Sequence, residues 1–129
     1  MELARENVPG AGVFQADMAR LDLPPASFDA VAAFYSIIHV PREEHAELFR
    51  RIAARLRPGG VLLAALGTRD VSADYQEDWL GAPMYWSSHE PQTALRAIEE
   101  AGLAVERAEI ETADEDGRPI SFLWVLARR

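Results

Sequence analysis

Two segments of the chain are apolar without alternation, which is the pattern of strands covered on both faces. The first is residues 30–34, inside a predicted strand over about residues 28–35, and the second is residues 61–66. Such strands are typical of a parallel sheet with helices packed on it. A shorter strand is predicted at about residues 12–16. The pattern therefore favours an α/β fold.

Between these two strands, apolar positions recur at helical spacing. Leu48, Phe49, Ile52 and Leu56 form one stripe, and Pro41 stands where the first turn of a helix tolerates proline. Pro58-Gly59-Gly60 ends the periodic segment. The pattern predicts a strand, helix and strand crossover with one buried helix face.

The rest of the chain is less regular. Residues 1–7 resemble the last turns of a helix, and residues 68–88 are polar and aromatic without a clear period, which predicts a long loop or lid. A helix begins at Pro91, turns Leu95 and Ile98 inward and stops at Gly102. The final strands, at about 105–110 and 120–126, are joined by a turn at 114–117 without a helix, so they must pair antiparallel.

Composition limits the classes of function. The 129 residues have a net charge of −8 and a pI near 4.8, which argues against nucleic acid or an anionic membrane surface as partner and favours a small molecule. With no cysteine, disulfides and thiolate chemistry are excluded. The first residues are too polar for a signal peptide, so we expect the cytoplasm. His39, His45 and His89 have no carboxylate at ligand spacing, which predicts no metal site, and His45 is predicted on the exposed helix face.

Three motifs together resemble a known family. Residues 14–18 (FQADM), 27–31 (SFDAV) and 56–61 (LRPGGV) are similar, in order and spacing, to the middle and rear of a class I S-adenosylmethionine-dependent methyltransferase of the small-molecule type. The resemblance implies an incomplete Rossmann-like sheet that lacks the first two strands and the glycine-rich loop and ends in an antiparallel pair. Residues 1–129 are then a partial methyltransferase domain, and we expect a longer parent protein.

The resemblance also implies cofactor contacts. Asp17 would accept a hydrogen bond from the adenine amino group of S-adenosylmethionine, and the backbone amide of Met18 would reach the ring. Phe34, Tyr35 and Ser36 would meet the methionine half of the cofactor. Two alternatives remain open: Asp17 caps the following turn, and the two aromatic rings only fill the core.

Acceptor binding is expected further along the chain. His39 matches a position where the family often has histidine, and it would be the catalytic base for methyl transfer. Trp79, Met84, Tyr85 and Trp86 lie where the family places its variable acceptor-binding segment. The alternatives are a structural histidine and a hydrophobic flap that completes the core.

The sequence thus predicts S-adenosylmethionine-dependent methyl transfer to a small-molecule acceptor. An alternative of another class is a non-catalytic α/β remnant that binds a partner chain, or associates with itself, through an exposed sheet edge. A nicotinamide-binding domain is disfavoured because the final strands are antiparallel and no glycine fingerprint is present.

Overall fold

A computed structural model describes residues 2–115 and 117–129. The elements along the chain are α1 (Glu2–Asn7), β1 (Phe28–Phe34), a 3₁₀ helix (Ile37–His39), α2 (Arg42–Arg55), β2 (Leu56–Gly67), β3 (Val71–Trp79), β4 (Ala82–Ser88), α3 (Pro91–Glu100), β5 (Ala104–Glu115) and β6 (Arg118–Arg128). The main sheet has four strands in the order β1-β2-β6-β5, and a separate two-stranded sheet is formed by β3 and β4.

The predicted crossover is confirmed. Strands β1 and β2 are parallel and are connected through α2, which begins one residue after Pro41. Strand β6 pairs antiparallel with both β2 and β5, so the expected antiparallel pair at the end of the chain is also present. Strands β5 and β6 extend closer to each other than predicted. Asp116, which was predicted in the turn, and Met1, which was predicted in the first helix, lie outside the described residues.

The core lies between the sheet and the two longer helices. The predicted stripe on α2 is buried, with Leu48, Phe49 and Ile52 all less than a tenth exposed. It packs with Leu62 of β2 and Val125 of β6 in one apolar cluster. On α3, Ile98 is fully buried and Leu95 is partly buried against the same cluster. Burial of these side chains supplies the main driving force for folding.

Two glycines shape the start of β2. Gly59 has a φ of +81°, a conformation that costs glycine little. A Cβ on Gly60 would lie 2.9 Å from the carbonyl oxygen of Arg57 and 3.1 Å from that of Asp29. The tight backbone lets the Gly59 N–H donate to the carbonyl of Arg129 at 2.8 Å. The motif that was predicted to end α2 therefore also joins β2 to the end of the chain.

The predicted strand at residues 12–16 is wrong. These residues have no regular secondary structure, and β1 is the edge of the main sheet. A strand needs a hydrogen-bonded neighbour, and the sheet offers this segment none. The five residues of this segment were too few to distinguish a strand from an extended loop.

The prediction that β1 is covered on both faces is also wrong. Phe28 is 36% exposed and Phe34 is 45% exposed, and Leu63 on the neighbouring strand is 37% exposed. Phe34 and Leu63 lie on the face of the sheet opposite α2 and α3, which we call the open face, whereas Phe28 lies beside α2. The apolar run identified a strand but could not show whether a second layer covers it.

Residues 68–88 form a hairpin and not the predicted long loop. Strands β3 and β4 pair antiparallel, with Trp79 opposite Ala82 at the turn. Both central residues of that turn have positive φ, 54° at Leu80 and 87° at Gly81, as type I′ hairpin turns require.

No helix among the described residues is long and apolar enough to cross a membrane.

Candidate functional site

A cleft of about 380 Å³ lies beside the edge strand β1. Met18 and Ser36, two of the residues predicted to contact a cofactor, both line it. The remaining lining comes from the loop before β1, from β1 itself and from α2: Leu21, Leu23, Phe28, Ala30, Val31, Ala32, Ala33, Ile37, Leu48, Ile52 and Arg55. The wall is therefore largely apolar, and one side of it is the edge of the sheet.

Arg55 holds the outer loop of this cleft in place. Its guanidinium donates to the carbonyl oxygen of Leu21 at 2.6 Å and lies 3.7 Å from a carboxylate oxygen of Asp22. The arginine projects from the last turn of α2, where a cation also interacts favourably with the helix dipole. Sequence reasoning assigned no role to this residue.

Asp17 stands next to the cleft but is occupied by its own turn. One carboxylate oxygen accepts a hydrogen bond from the backbone N–H of Ala19 at 2.9 Å, and the other lies 3.2 Å from the guanidinium of Arg20. Asp17 does not line the cleft. The turn-capping alternative therefore describes its contacts, while its neighbour Met18 faces the cavity.

Phe34 and Tyr35 point to the open face and are not part of the cleft lining. Tyr35 has a φ of +50°, which brings its ring to the same side as that of Phe34. The Phe34 and Trp124 rings are 5.4 Å apart, and Tyr35 packs edge-to-face on Phe122 at 4.7 Å. Sequence reasoning missed Phe122 and Trp124. Their spacing of two residues on a predicted strand was the available signal that they share a face.

His39 and the hairpin meet at the other end of β1. The Nδ1 of His39 is 2.7 Å from the backbone oxygen of Tyr85. Because that oxygen can only accept, Nδ1 is the nitrogen that carries a proton, and in the singly protonated ring the lone pair lies on Nε2. The Nε2 atom has no hydrogen-bond partner within residues 2–115 and 117–129. The geometry suits a group that accepts a proton.

Two tryptophans extend this site along the hairpin. The ring of Trp86 lies 6.2 Å from that of His39, and Trp79 packs edge-to-face on Trp86 at 5.5 Å. We call His39, Trp79 and Trp86 the aromatic cluster. Met84 lies two residues from Trp86 on β4 and so on the same face, whereas Tyr85 lies on the other face and donates from its hydroxyl to the carbonyl of Ser72 at 3.4 Å.

Two buried serines fasten the hairpin to the body. The Oγ of Ser87 accepts a hydrogen bond from the backbone N–H of Arg42 at 2.8 Å, which satisfies a donor in the first turn of α2. The hydroxyl of Ser88 donates to the carbonyl of Arg69 at 2.6 Å. Arg42 also forms an ion pair with Asp70. Sequence reasoning missed these anchors because they connect residues that are 19 to 45 positions apart.

The prediction that His45 is exposed is wrong, because the carboxyl end of the hairpin covers it. His45 is 5% exposed, its Nε2 donates to the carbonyl of Val40 at 2.8 Å, and its ring lies 5.7 Å from that of His89. Burial lowers the pKa of His45 from its usual 6.5, and the hydrogen bond to Val40 offsets this in part. His45 is therefore a structural residue beneath the hairpin.

The chain resembles known proteins in both sequence and fold. Residues 1–64 match the family described as methyltransferase domain. None of the curated proteins compared with the chain matches it.

Solved structures of methyltransferases share the fold. A methyltransferase of Methanosarcina mazei is 12% identical with a TM-score of 0.77, over 99% of this chain and 76% of that one. A methyltransferase of Mesorhizobium loti is 24% identical with a TM-score of 0.71, over 98% and 75%. The 1,6-didemethyltoxoflavin-N1-methyltransferase of Burkholderia thailandensis, solved with 1,6-didemethyltoxoflavin and S-adenosylhomocysteine, is 16% identical with a TM-score of 0.64, over 88% and 48%.

Proposed function

Because residues 1–64 match the methyltransferase domain family, we propose that this chain is part of a class I methyltransferase and takes part in methyl transfer from S-adenosylmethionine to a small-molecule acceptor. The observation that carries the proposal is the meeting of Met18 and Ser36 in one cleft beside β1. The Burkholderia relative, which binds a small heterocycle and S-adenosylhomocysteine, supports an acceptor of that size. The cytoplasm is the proposed location, which fractionation of cells expressing the tagged chain would test.

The residues present fit one part of the cofactor better than another. A volume of about 380 Å³ is within the usual range of small-molecule sites, and the apolar lining suits an adenine ring. Ser36 and Arg55 are the polar side chains of the lining, and no carboxylate among the described residues lines the cleft to accept hydrogen bonds from ribose hydroxyls. We therefore expect cofactor binding by this chain to be weak.

S-adenosylmethionine, when bound, supplies an electrophilic methyl group on a sulfonium. The tasks left to this chain are to position the acceptor and to accept its proton. We assign the first task to Trp79, Trp86 and Met84, and the second to Nε2 of His39, which the hydrogen bond to Tyr85 leaves free. Phe34 and Tyr35 do not line the cleft. Any contact that they make with the methionine half of the cofactor would therefore be made from the open face, where their rings pack on Trp124 and Phe122.

Calorimetric titration with S-adenosylhomocysteine tests the cofactor site. We expect binding by the purified chain, and a loss of at least tenfold in affinity for Ala30→Leu, since the added side chain would enter the cleft. Ala108→Leu makes the same change at an exposed position of β5 and should leave the affinity unchanged. Equal affinity of both variants and the natural chain, or no binding by the folded chain, would contradict the proposed cofactor site.

A second candidate function is binding of another copy of this chain through β1. The strand is a sheet edge with one neighbour, and its sequence, FDAVAAF, contains no proline or lysine. Its one charge, on Asp29, is paired with Arg57 at 2.7 Å. The opposite edge, β5, carries Glu106, Arg107, Glu109 and Glu111, the kind of charged residues that protect an edge from association.

Sedimentation velocity over a range of concentrations tests this association. We expect a dimer whose dissociation constant rises on Ala32→Lys, because a lysine disfavours strand pairing at the edge. Ala108→Lys places the same charge on β5 and should have little effect. A monomer at all concentrations, or equal effects of the two substitutions, would reject pairing through β1.

A further inference from the structure

A carboxylate lies beside the aromatic cluster. In the hairpin register, Asp74 on β3 is directly opposite Trp86 on β4. Side chains of directly opposed residues project from the same face of a strand pair, with Cβ atoms about 4.5–5.5 Å apart. Asp74 therefore borders the same surface as the Trp86 indole, which lies 5.5 Å from the Trp79 ring and 6.2 Å from the imidazole of His39.

The charge of the hairpin has one sign. Residues 71–88 contain Asp74, Glu77 and Asp78 and no lysine, arginine or histidine. The nearest cation along the chain is Arg69, two residues before β3, and Arg42 at the base forms an ion pair with Asp70. An anionic acceptor would meet repulsion over this surface, whereas a cation would be attracted both by the carboxylates and by the faces of the indole rings.

We propose that the acceptor at this site is an amine, which rests on the proposed methyl transfer and specifies the substrate class. Trp79 and Trp86 contact the amine's apolar body and its cationic form, and Asp74 provides the counter-charge. Trp79 is 42% exposed, so its ring is open to a ligand. An acceptor that is a carboxylate or phosphate is excluded by the same charges.

The chemistry uses the free nitrogen of His39. An amine that arrives protonated gives its N–H proton to Nε2, which leaves the lone pair on the amine nitrogen. That lone pair forms the new N–CH₃ bond, and the electron pair of the broken S–CH₃ bond remains on sulfur. The product is a methylated ammonium and a thioether, so the charge moves from sulfur to nitrogen beside Asp74.

Binding of two aromatic probes of opposite charge tests the inference without turnover. Phenyltrimethylammonium resembles the methylated product, and benzoate has a similar ring with a negative charge. We expect the cation to bind at least fivefold more tightly, followed through the indole N–H signals of Trp79 and Trp86 in ¹H–¹⁵N spectra, with Trp124 as an internal reference on the open face. Trp86→Leu should abolish these shifts.

Two variants with the same change of charge distinguish a specific contact with Asp74 from the overall negative charge of the hairpin. Asp74→Asn should weaken binding of the cation by about fivefold, the size of an exposed cation–π and charge contribution. Glu77→Gln removes the same charge from the same strand and should change the affinity by less than twofold. Equal binding of both probes, no shift at Trp79 and Trp86, or equal effects of the two variants would overturn the amine assignment.

The outcome is distinguishable from failure of the proposed function. The probes need no cofactor, so a cation preference without S-adenosylhomocysteine binding would reject methyl transfer by this chain while retaining the cation site. Binding of S-adenosylhomocysteine with no cation preference would reject only the amine as acceptor. The two titrations, made on the same preparation, therefore decide each statement separately.

Discussion

The exposure and the pKa of individual residues in this chain depend on contacts with residues that are distant in sequence. The imidazole of His45 is the clearest case, because the carboxyl end of the hairpin removes it from water. The neutral form is favoured in the folded protein, and the pKa is lowered from 6.5 mainly by burial. His89 adds a smaller lowering, whereas Val40, Ile37 and Glu43 oppose it.

Stability should consequently depend on pH. A lowered pKa in the folded state means that the stabilisation is complete above about pH 6.5 and is lost as the pH falls below that value, since the unfolded chain binds the proton first. The loss is at most about 1.4 kcal/mol per pH unit. Urea denaturation at pH 7.5 and 5.5 measures it. His45→Gln, whose amide can still donate to Val40, should lose less stability on acidification, and an unchanged difference would contradict the assignment.

Residue types were easier to predict than residue surroundings. The sequence pointed to Met18 and Ser36, which meet in one cleft, and to His39 and Trp86, which lie side by side. It placed His45 on the exposed side because the helical period of α2 records only one buried stripe. The other side of α2 at His45 is buried by the end of the hairpin, and this tertiary contact cannot be predicted from a local sequence pattern.

At the scale of elements, the hairpin turn is suboptimal. Leu80 is 88% exposed and has a positive φ, which is unfavourable for a side chain with a Cβ. Leu80→Asn should raise the free energy of unfolding by about 0.5–1 kcal/mol, because Asn-Gly is the preferred pair in a type I′ turn. Leu80→Val should lower it. Urea midpoints of the three proteins check the order, and a less stable asparagine variant would show that the leucine side chain makes a contact.

The hydrogen bond from the N–H of Arg42 to the hydroxyl of Ser87 should contribute measurably to the stability of the protein. Ser87→Ala leaves the N–H of Arg42 at the start of α2 without its partner, at a cost of about 1 kcal/mol. Denaturation gives this value, and hydrogen exchange of the hairpin amides should accelerate with it. Ser72→Ala on the exposed β3 is the matched control, expected within about 0.5 kcal/mol of the natural chain.

Elements with a strong period were predictable and the hairpin was not. The buried stripe of α2 and the apolar run of β2 identified the crossover before the structure was known. Strands β3 and β4 gave no such signal, because residues 72–80 are all exposed and so carry no alternation of apolar and polar positions. The segment at 12–16 failed in the opposite way, since strand-like residues had no neighbouring strand.

For the whole molecule, net charge and the open edge act against each other. The charge of −8 makes two copies repel, while the edge of β1 and the exposed rings of Phe34 and Tyr35 favour contact. Raising the salt concentration from 0.05 to 0.5 M, which shortens the screening length severalfold, should therefore tighten association. Sedimentation equilibrium measures it, and weaker association at high salt would indicate that ion pairs hold the copies together.

Two of the three strand pairings in the main sheet, β1 with β2 and β5 with β6, were predicted from the sequence. The antiparallel pair and the parallel crossover followed from connection lengths, but the exposure of the open face depends on which layers are present. The pattern of apolar residues along a strand does not show whether a second layer covers that face of the sheet.

The hairpin's attachment has a consequence for how such a protein can diversify. Its side chains reach the body through Ser87, Ser88 and the neighbourhood of His39, whereas β3 faces solvent along nearly its whole length. Mutations on β3 and at the turn can accumulate without penalty to the core. Substitutions in the hairpin therefore change the recognition surface and leave the folding of the main sheet unchanged. A lineage can acquire a new specificity through changes in this one short segment.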